Sequence, residues 1–377
     1  MEQTRVQGRS LRYFDYNLLF LIIFLLGFGL VMLYSVSAYE AQSEFGSATY
    51  YLSHQVRNII IGLIIMVVMT LIPYKVWGRL AVCRTVYAAA FLLCVLVVIR
   101  GTAANGSTRW LSIGGIQFQP SEAAKIAVII YLAALLSRMP KQIKEFRTVL
   151  KVLIRVAPLI VVIALSNLST AIIVAGICVL MMFVASPKYS HFIILLILVA
   201  VVVVLFTMLS SYRGDRVQAW LHPEEYPDQA YQTLQGLYAI GSGGLFGKGL
   251  GGSIQKLGYV PEAQNDFIFS IICEELGLFG GICVILLFVL MIWRFMVISN
   301  NASDLLGGLL VVGVMSHIAL QVILNLAVVT NSIPNTGVIL PFFSYGGSSM
   351  IFLLAEMGLV LSVSRGIHVE EADLPVE

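Results

Sequence analysis

The sequence predicts an all-α polytopic membrane protein with about ten transmembrane helices, both termini cytoplasmic, and one long outer loop between the seventh and eighth helices. Three observations predict it. Apolar residues make up 59% of the 377 residues and charged residues only 11%; mean hydropathy is +0.92. A soluble chain carries about 25% charged residues, so a soluble enzyme, a nucleic-acid-binding protein and a disordered chain are excluded. Apolar runs long enough to span a bilayer recur along the whole chain. Basic residues gather in every second connection.

In order, the runs cover 17–37, 57–73, 80–99, 121–137, 152–166, 168–186, 191–210, 267–293, 305–330 and 348–364. Only Ser166-Asn167-Leu168-Ser169 separates the fifth from the sixth, as one tight re-entry or two short helices. The first run spans on its own, and no small-residue cleavage site follows it closely, so it reads as a permanent helix. With the N-terminus inside, the inner connections hold Arg5, Arg9 and Arg12, then Lys75, Arg79 and Arg84, then Arg138, Lys141, Lys144, Arg147, Lys151 and Arg155, and later Lys188, Arg294 and Arg365. An even span count satisfies this bias. Residues 1–366 read as one integral domain. His368 to Glu377 form a short acidic cytoplasmic tail with no expected order. Cys83, Cys94, Cys178, Cys273 and Cys283 lie in or beside apolar runs with no CxxC pair, as buried small hydrophobes.

Polar residues at membrane depth are costly and mark function by default. They collect at the outer helix ends, under the 101–120 and 211–265 loops. The first cluster runs Gly106-Ser107-Thr108-Arg109-Trp110-Leu111, Gly114-Gly115, Gln119-Pro120-Ser121-Glu122, then Lys125. Pro120 opens a helix, and Glu122 and Lys125 share a face. They form either an ion pair that lets the helix insert or a charged cavity wall. The second runs Pro261-Glu262-Ala263-Gln264-Asn265-Asp266, followed by Glu274 and Glu275. Asp266 at the mouth of the eighth span is either a helix cap or a base facing a partly dry pocket. The third runs Pro334-Asn335-Thr336-Gly337, then Leu340-Pro341-Phe342-Phe343-Ser344-Tyr345-Gly346-Gly347-Ser348-Ser349. Its Pro and Gly content implies non-helical backbone lining a cavity or buried in protein. Gly247-Lys248-Gly249-Leu250-Gly251-Gly252 fits GxGxxG, but no strand precedes it. Dinucleotide binding is dismissed, leaving a tight loop or backbone N–H groups offered to an anion.

These clusters resemble the SEDS (shape, elongation, division and sporulation) family, the FtsW/RodA group of bacterial peptidoglycan polymerases, over residues 12 to 366. The resemblance is dense at Arg109-Trp110 through Lys125, at Tyr238-Ala239-Ile240-Gly241-Ser242-Gly243-Gly244-Leu245-Phe246-Gly247-Lys248-Gly249-Leu250-Gly251, from Pro261-Glu262-Ala263 to Glu274-Glu275-Leu276-Gly277, and from Leu340-Pro341 to Ser349. It implies a multi-pass protein of the bacterial cytoplasmic membrane whose outward-facing site polymerises lipid II and releases undecaprenyl pyrophosphate. It implies a class B penicillin-binding protein and other cell-division proteins as partners. The family's essential acid matches Asp266. The Gln255-Lys256-Leu257-Gly258-Tyr259 stretch is similar to the division and sporulation branches; the reading here is division, with elongation or spore cortex synthesis as alternatives.

Two positions depart from the family pattern. Asn167 stands where a carboxylate is usual, and Asn265 where Thr is usual. On this reading Asp266, Lys125 and Glu122 are catalytic, with Asp266 as base, Lys125 facing the leaving group and Glu122 orienting it. Arg109, Trp110, Gln119, Ser121, Asn167, Lys248, Glu262, Ser344, Tyr345 and Ser348 contact substrate. A divalent cation (Mg2+ or Mn2+) is compatible with leaving-group stabilisation, yet no metal ligand set is written in the sequence. The rival classes are a lipid II flippase, which needs polar residues through its full depth, and a noncatalytic scaffold.

Overall fold

The computed structural model describes residues 10–104, 107–113, 116–186, 188–208 and 211–370. Gly106, Gly114, Gly115, Arg5, Arg9 and the last seven residues of the expected tail lie outside them. Twelve α-helices occur among the described residues: α1 Tyr16–Phe45, α2 Tyr50–Leu71, α3 Leu80–Arg100, α4 Pro120–Leu136, α5 Phe146–Ser166, α6 Leu168–Ala185, α7 Tyr189–Met208, α8 Ser211–Leu221, α9 Pro227–Ser242, α10 Ile268–Asn300, α11 Leu305–Val329 and α12 Ser348–Ser364.

Seven helices are long and apolar enough to cross a membrane: α1, α2, α3, α5, α6, α10 and α11. Tyr189–Val202 and α12 are shorter apolar helices, and α4 has 17 residues with Glu122 and Lys125 inside. Large apolar side chains cover the outside. On α7, Ile193, Leu196 and Ile197 are more than half exposed, as expected of a helix solvated by lipid. The protein is therefore a multi-pass membrane protein.

Local sequence explains the element ends. Asp15 caps α1 by accepting from the Leu18 N–H at 2.8 Å, and Gly46 closes that helix in the left-handed conformation. Pro120 sits in the first turn of α4. Asn167 ends α5 and caps α6, its Oδ1 accepting from the Thr170 N–H at 3.2 Å, so the uncertain fifth and sixth runs are two helices. The α1, α2 and α5 boundaries reach beyond the expected runs.

The connections hold more regular structure than the apolar runs alone indicate. The 211–265 connection is not a loop throughout, because α8 and α9 occupy much of it. The 101–120 connection folds as an antiparallel meander of β2 Thr102–Ala104, β3 Ser107–Ile113 and β4 Ile116–Phe118. The start of the expected tail is ordered: β5 His368–Glu370 pairs antiparallel with β1 Ser10–Arg12, joining both chain ends.

The helix starts sort the molecule into two ends. The starts of α4, α6, α10 and α12 meet at one end: the Gln119 N–H donates to Ser348 Oγ at 3.2 Å, and Ser169 Oγ donates to the Thr336 carbonyl at 2.6 Å. At the other end Asp15 pairs with Arg294, Tyr74 donates to Asp304 at 2.9 Å, and Arg365 donates to the Thr70 carbonyl at 2.8 Å.

Candidate active site

The polar end is organised around Asp266, one residue before the N-cap of α10. Its side chain does not cap the helix. Oδ1 is buried and has no hydrogen-bond partner among the described residues. Asn325 of α11 donates to the Asp266 carbonyl at 2.7 Å and to the Val338 carbonyl at 2.8 Å. One fully buried amide thus clamps the Asp266 backbone to the 331–347 segment.

Gly337, at φ +64, lies beside the carboxylate. A Cβ there would sit 3.7 Å from Asp266 Oδ2 and 4.0 Å from Arg109 Nη1, so Arg109 of β3 reaches the same spot. Burial pushes the Asp266 carboxyl up to about 7. Its own backbone N–H opposes that rise, the Glu262 charge adds to it, and Arg216 and Arg109 hold it down. A carboxyl poised near neutrality and short of hydrogen bonds is suited to take a proton.

Glu122 and Lys125 form a buried ion pair at 3.0 Å. The pair belongs to a longer chain. Lys125 Nζ donates to Gln321 Oε1 at 3.3 Å, His317 Nε2 bonds the same oxygen at 2.7 Å, and His317 Nδ1 lies 2.6 Å from Glu356 Oε2. Gln321 Nε2 donates to the Ile339 carbonyl at 3.0 Å. His317, Gln321 and Asn325 recur every fourth residue, so α11 carries one polar stripe. Asn325 at one end holds the Asp266 backbone, Gln321 in the middle holds Lys125, and His317 at the other end pairs with Glu356. Sequence reasoning missed this stripe together with Glu356 and Arg216. The signal was there, since a His and a Glu inside apolar runs demand an explanation.

The stripe carries polarity below the outer helix ends, in addition to the buried Glu274 and Glu275. It runs about 12 Å along α11, but it encloses little space. The cavity beside Glu122, His317 and Gln321 measures ≈10 Å³, room for about one water.

The remaining sequence candidates separate into groups. Lys248 is committed to Glu274 at 2.6 Å and to Ser242 at 2.9 Å, while Lys256 binds Glu275 at 2.7 Å. Both glutamates are fully buried and anchor the 243–256 loop. The Lys248 and Gly249 N–H groups donate to the Glu274 and Glu275 carbonyls at 2.9 and 3.0 Å, so this glycine run makes a tight loop. Ser344 ties its own turn, accepting from the Leu340 N–H at 2.8 Å, and Tyr345 N–H donates to the Gln264 carbonyl at 2.8 Å. Gln119 Nε2 donates to Ser121 Oγ at 3.1 Å. Glu262, at φ +51, accepts from Asn265 at 3.1 Å and stays exposed. Trp110 is half-buried on β3. Asn167 is a helix cap, which needs no negative charge. Among the described residues no three His, Cys, Asp or Glu side chains gather into a metal-binding group.

Residues 16–368 match the family model described as cell cycle protein, covering FtsW, RodA and SpoVE. The chain belongs to this family. It is 39% identical over 356 residues to stage V sporulation protein E of Bacillus subtilis, spanning 93% of this chain and 97% of that one. It is 35% identical over 362 residues to the probable peptidoglycan glycosyltransferase FtsW of Trichlorobacter lovleyi, spanning 94% of each. Among solved structures, a chain of a peptidoglycan synthase complex that coordinates polymerization and crosslinking is similar with a TM-score of 0.78 at 28% identity, over 93% of this chain and 98% of that one. RodA of Thermus thermophilus is similar with a TM-score of 0.69 at 27% identity, over 93% and 97%. Both solved chains share this helical arrangement over 93% of this chain.

Proposed function

We propose that the protein is a peptidoglycan glycosyltransferase that polymerises lipid II at the outer face of the bacterial cytoplasmic membrane, with ten spans and both termini inside. The buried, under-bonded Asp266 carboxylate beside Arg109 carries the reading. A sugar hydroxyl of one lipid II attacks the anomeric carbon of the strand. Asp266 takes its proton as the new C–O bond forms, an effect typically worth about 10²–10⁴-fold. The bond from the anomeric carbon to the phosphate oxygen breaks, and undecaprenyl pyrophosphate leaves with the electron pair. Arg109 stands at the Asp266 side to meet the developing charge. Lys125, held by Glu122 and Gln321, acts from below. Trp110, Gln119, Ser121 and Ser348 line the approach, while Lys248, Ser344 and Tyr345 keep their assigned contacts through the loops they fix.

The partner in this reading is a class B penicillin-binding protein that cross-links the product, within a division assembly. A role in sporulation is the second reading, favoured by the 39% identity to stage V sporulation protein E. The flippase reading has less behind it, since the cavity beside Glu122, His317 and Gln321 measures only ≈10 Å³.

The test supplies lipid II to the protein purified with its partner, whose transpeptidase serine is disabled. Glycan strands from wild type and none from Asp266→Ala are expected. No strands from either, with lipid II crossing liposome membranes, would replace this reading with the flippase.

A further inference from the structure

A second concavity lies between α8, α9 and the 331–335 turn, with a volume of ≈250 Å³. Its walls are built by side chains that bond the backbone of neighbouring segments. Arg216 Nη1 donates to the Asn335 carbonyl at 3.1 Å, and Trp220 Nε1 donates to the Asn331 carbonyl at 2.9 Å. Asn335 Nδ2 donates to Gln232 Oε1 at 2.9 Å, and Gln232 Nε2 donates to the Pro261 carbonyl at 2.8 Å. The cavity is therefore pre-formed, as small-molecule sites usually are.

The lining specifies the ligand. Asp215 stands beside Arg216, and Gln229 and Thr233 complete the polar wall. A phosphate site would collect cations and backbone N–H groups; the two opposite charges here balance, which suits a neutral ligand rich in hydroxyl and amide groups. Trp220 adds an aromatic surface for an apolar ring face. Its N–H is spent on Asn331, so the ring itself is what it offers. The volume falls just below the usual range of about 300–1,000 Å³ for drug-sized ligands, a size for about one N-acetylated sugar.

The cavity also has a defined place. Asn335 bonds the Gly337 N–H through Oδ1 at 3.1 Å, and Gly337 borders Asp266. The 331–337 segment is thus a wall shared by the cavity and the base. Helices α8 and α9 form the rest, with Ala219, Ala230 and Leu234 lining the cavity beside the polar groups.

We infer that this cavity is a saccharide subsite for the growing glycan strand, holding a sugar beyond the one that reacts at Asp266. The inference rests on the polymerase reading above. A strand held here stays attached between additions, so the subsite governs strand length.

Ala230 lines the cavity and is buried, so Ala230→Leu fills it. Gln229→Ala, on an exposed residue, removes a polar wall group without touching the bonds above. The purified full chain with its partner is titrated with a soluble N-acetylglucosamine tetramer, free of lipid and pyrophosphate, by saturation-transfer NMR. Strand lengths made from lipid II are measured in parallel. Wild type is expected to bind the tetramer, Ala230→Leu to bind it about tenfold more weakly, equivalent to ~1.4 kcal/mol, and both variants to make shorter strands. Equal tetramer binding by wild type and Ala230→Leu, or no binding by wild type, overturns the subsite. Unchanged strand lengths in Gln229→Ala, where folding is not at issue, overturn it as well and leave the polymerase standing. Tetramer binding without any strand synthesis defeats the polymerase reading instead.

Discussion

Asp266 sits in surroundings that favour its neutral form, and this has two measurable consequences. The first concerns rate. A base must be ionised, so kcat/KM for lipid II polymerisation is expected to rise with pH and level off above about 7, where burial has placed the carboxyl. The second concerns stability. The folded carboxyl is raised from 3.8 to about 7, so the native state holds the proton more tightly than the unfolded chain does. The resulting penalty is absent below the unfolded value, grows between the two, and is complete above about 7. Asp266→Asn is therefore expected to abolish synthesis and raise thermal stability at pH 8, with the stability gain fading toward pH 4. Equal melting of the two proteins at pH 8 would contradict the burial argument.

The Glu122–Lys125 pair makes the opposite prediction. Lys125→Met strands a buried carboxylate and should cost about 3–5 kcal/mol. Adding Glu122→Leu removes the orphan and should restore most stability while polymerisation stays absent, which thermal unfolding and strand synthesis measure separately. Asp266, Glu122, Lys125 and Arg109 were legible in the sequence because charge is rare in this chain. His317, Gln321 and Asn325 were not, because each stands alone among apolar neighbours and only the four-residue spacing joins them.

Among the elements, the break in α10 shows how loop and helix depend on each other. Gly277 adopts φ +70 and ψ −171 inside the helix, a region nearly reserved for glycine. The break frees backbone groups on both sides, and the 243–249 loop takes them: Leu278 N–H donates to the Gly244 carbonyl at 2.9 Å and Phe279 N–H to the Leu245 carbonyl at 3.1 Å. A Cβ on Gly277 would lie 2.4 Å from the Gly247 nitrogen and from the Leu245 oxygen. Gly277→Ala should therefore cost on the order of 1–3 kcal/mol for the backbone alone and more for the clash. Limited proteolysis is expected to cut the 243–256 loop of the variant while wild type resists.

The sequence marked these glycines as a loop but showed neither the kink nor its partner, since both arise from contacts between residues about thirty apart. α8 and α9 escaped notice for a related reason. They are short and polar, and distant segments hold them: α8 bonds the Asn331 and Asn335 carbonyls, and α9 packs against α10, with Gly236 beside Phe267. The apolar spans were legible because each carries its signal within itself.

For the whole molecule, the two ends differ in chemistry, and the difference makes the proposed orientation testable. One end carries Asp266, Arg109 and the polar helices α8 and α9. The other carries Lys75 near Asp304 at 3.8 Å, the Arg294–Asp15 pair and Arg365, with the exposed Lys141 and Lys144 between α4 and α5. Basic connections tend to stay cytoplasmic, which supports the proposed orientation with the Asp266 end outward, where the lipid-linked substrate of the proposed reaction would meet it. Single cysteines test this directly. The native cysteines give little background, because four are buried and Cys283 lies within α10. Glu224→Cys, in the exposed turn between α8 and α9, should react with a membrane-impermeant maleimide in intact cells. Lys144→Cys should react only after permeabilisation. The reverse pattern would turn the molecule over, place Asp266 inside the cell, and end the case for polymerisation at the outer face.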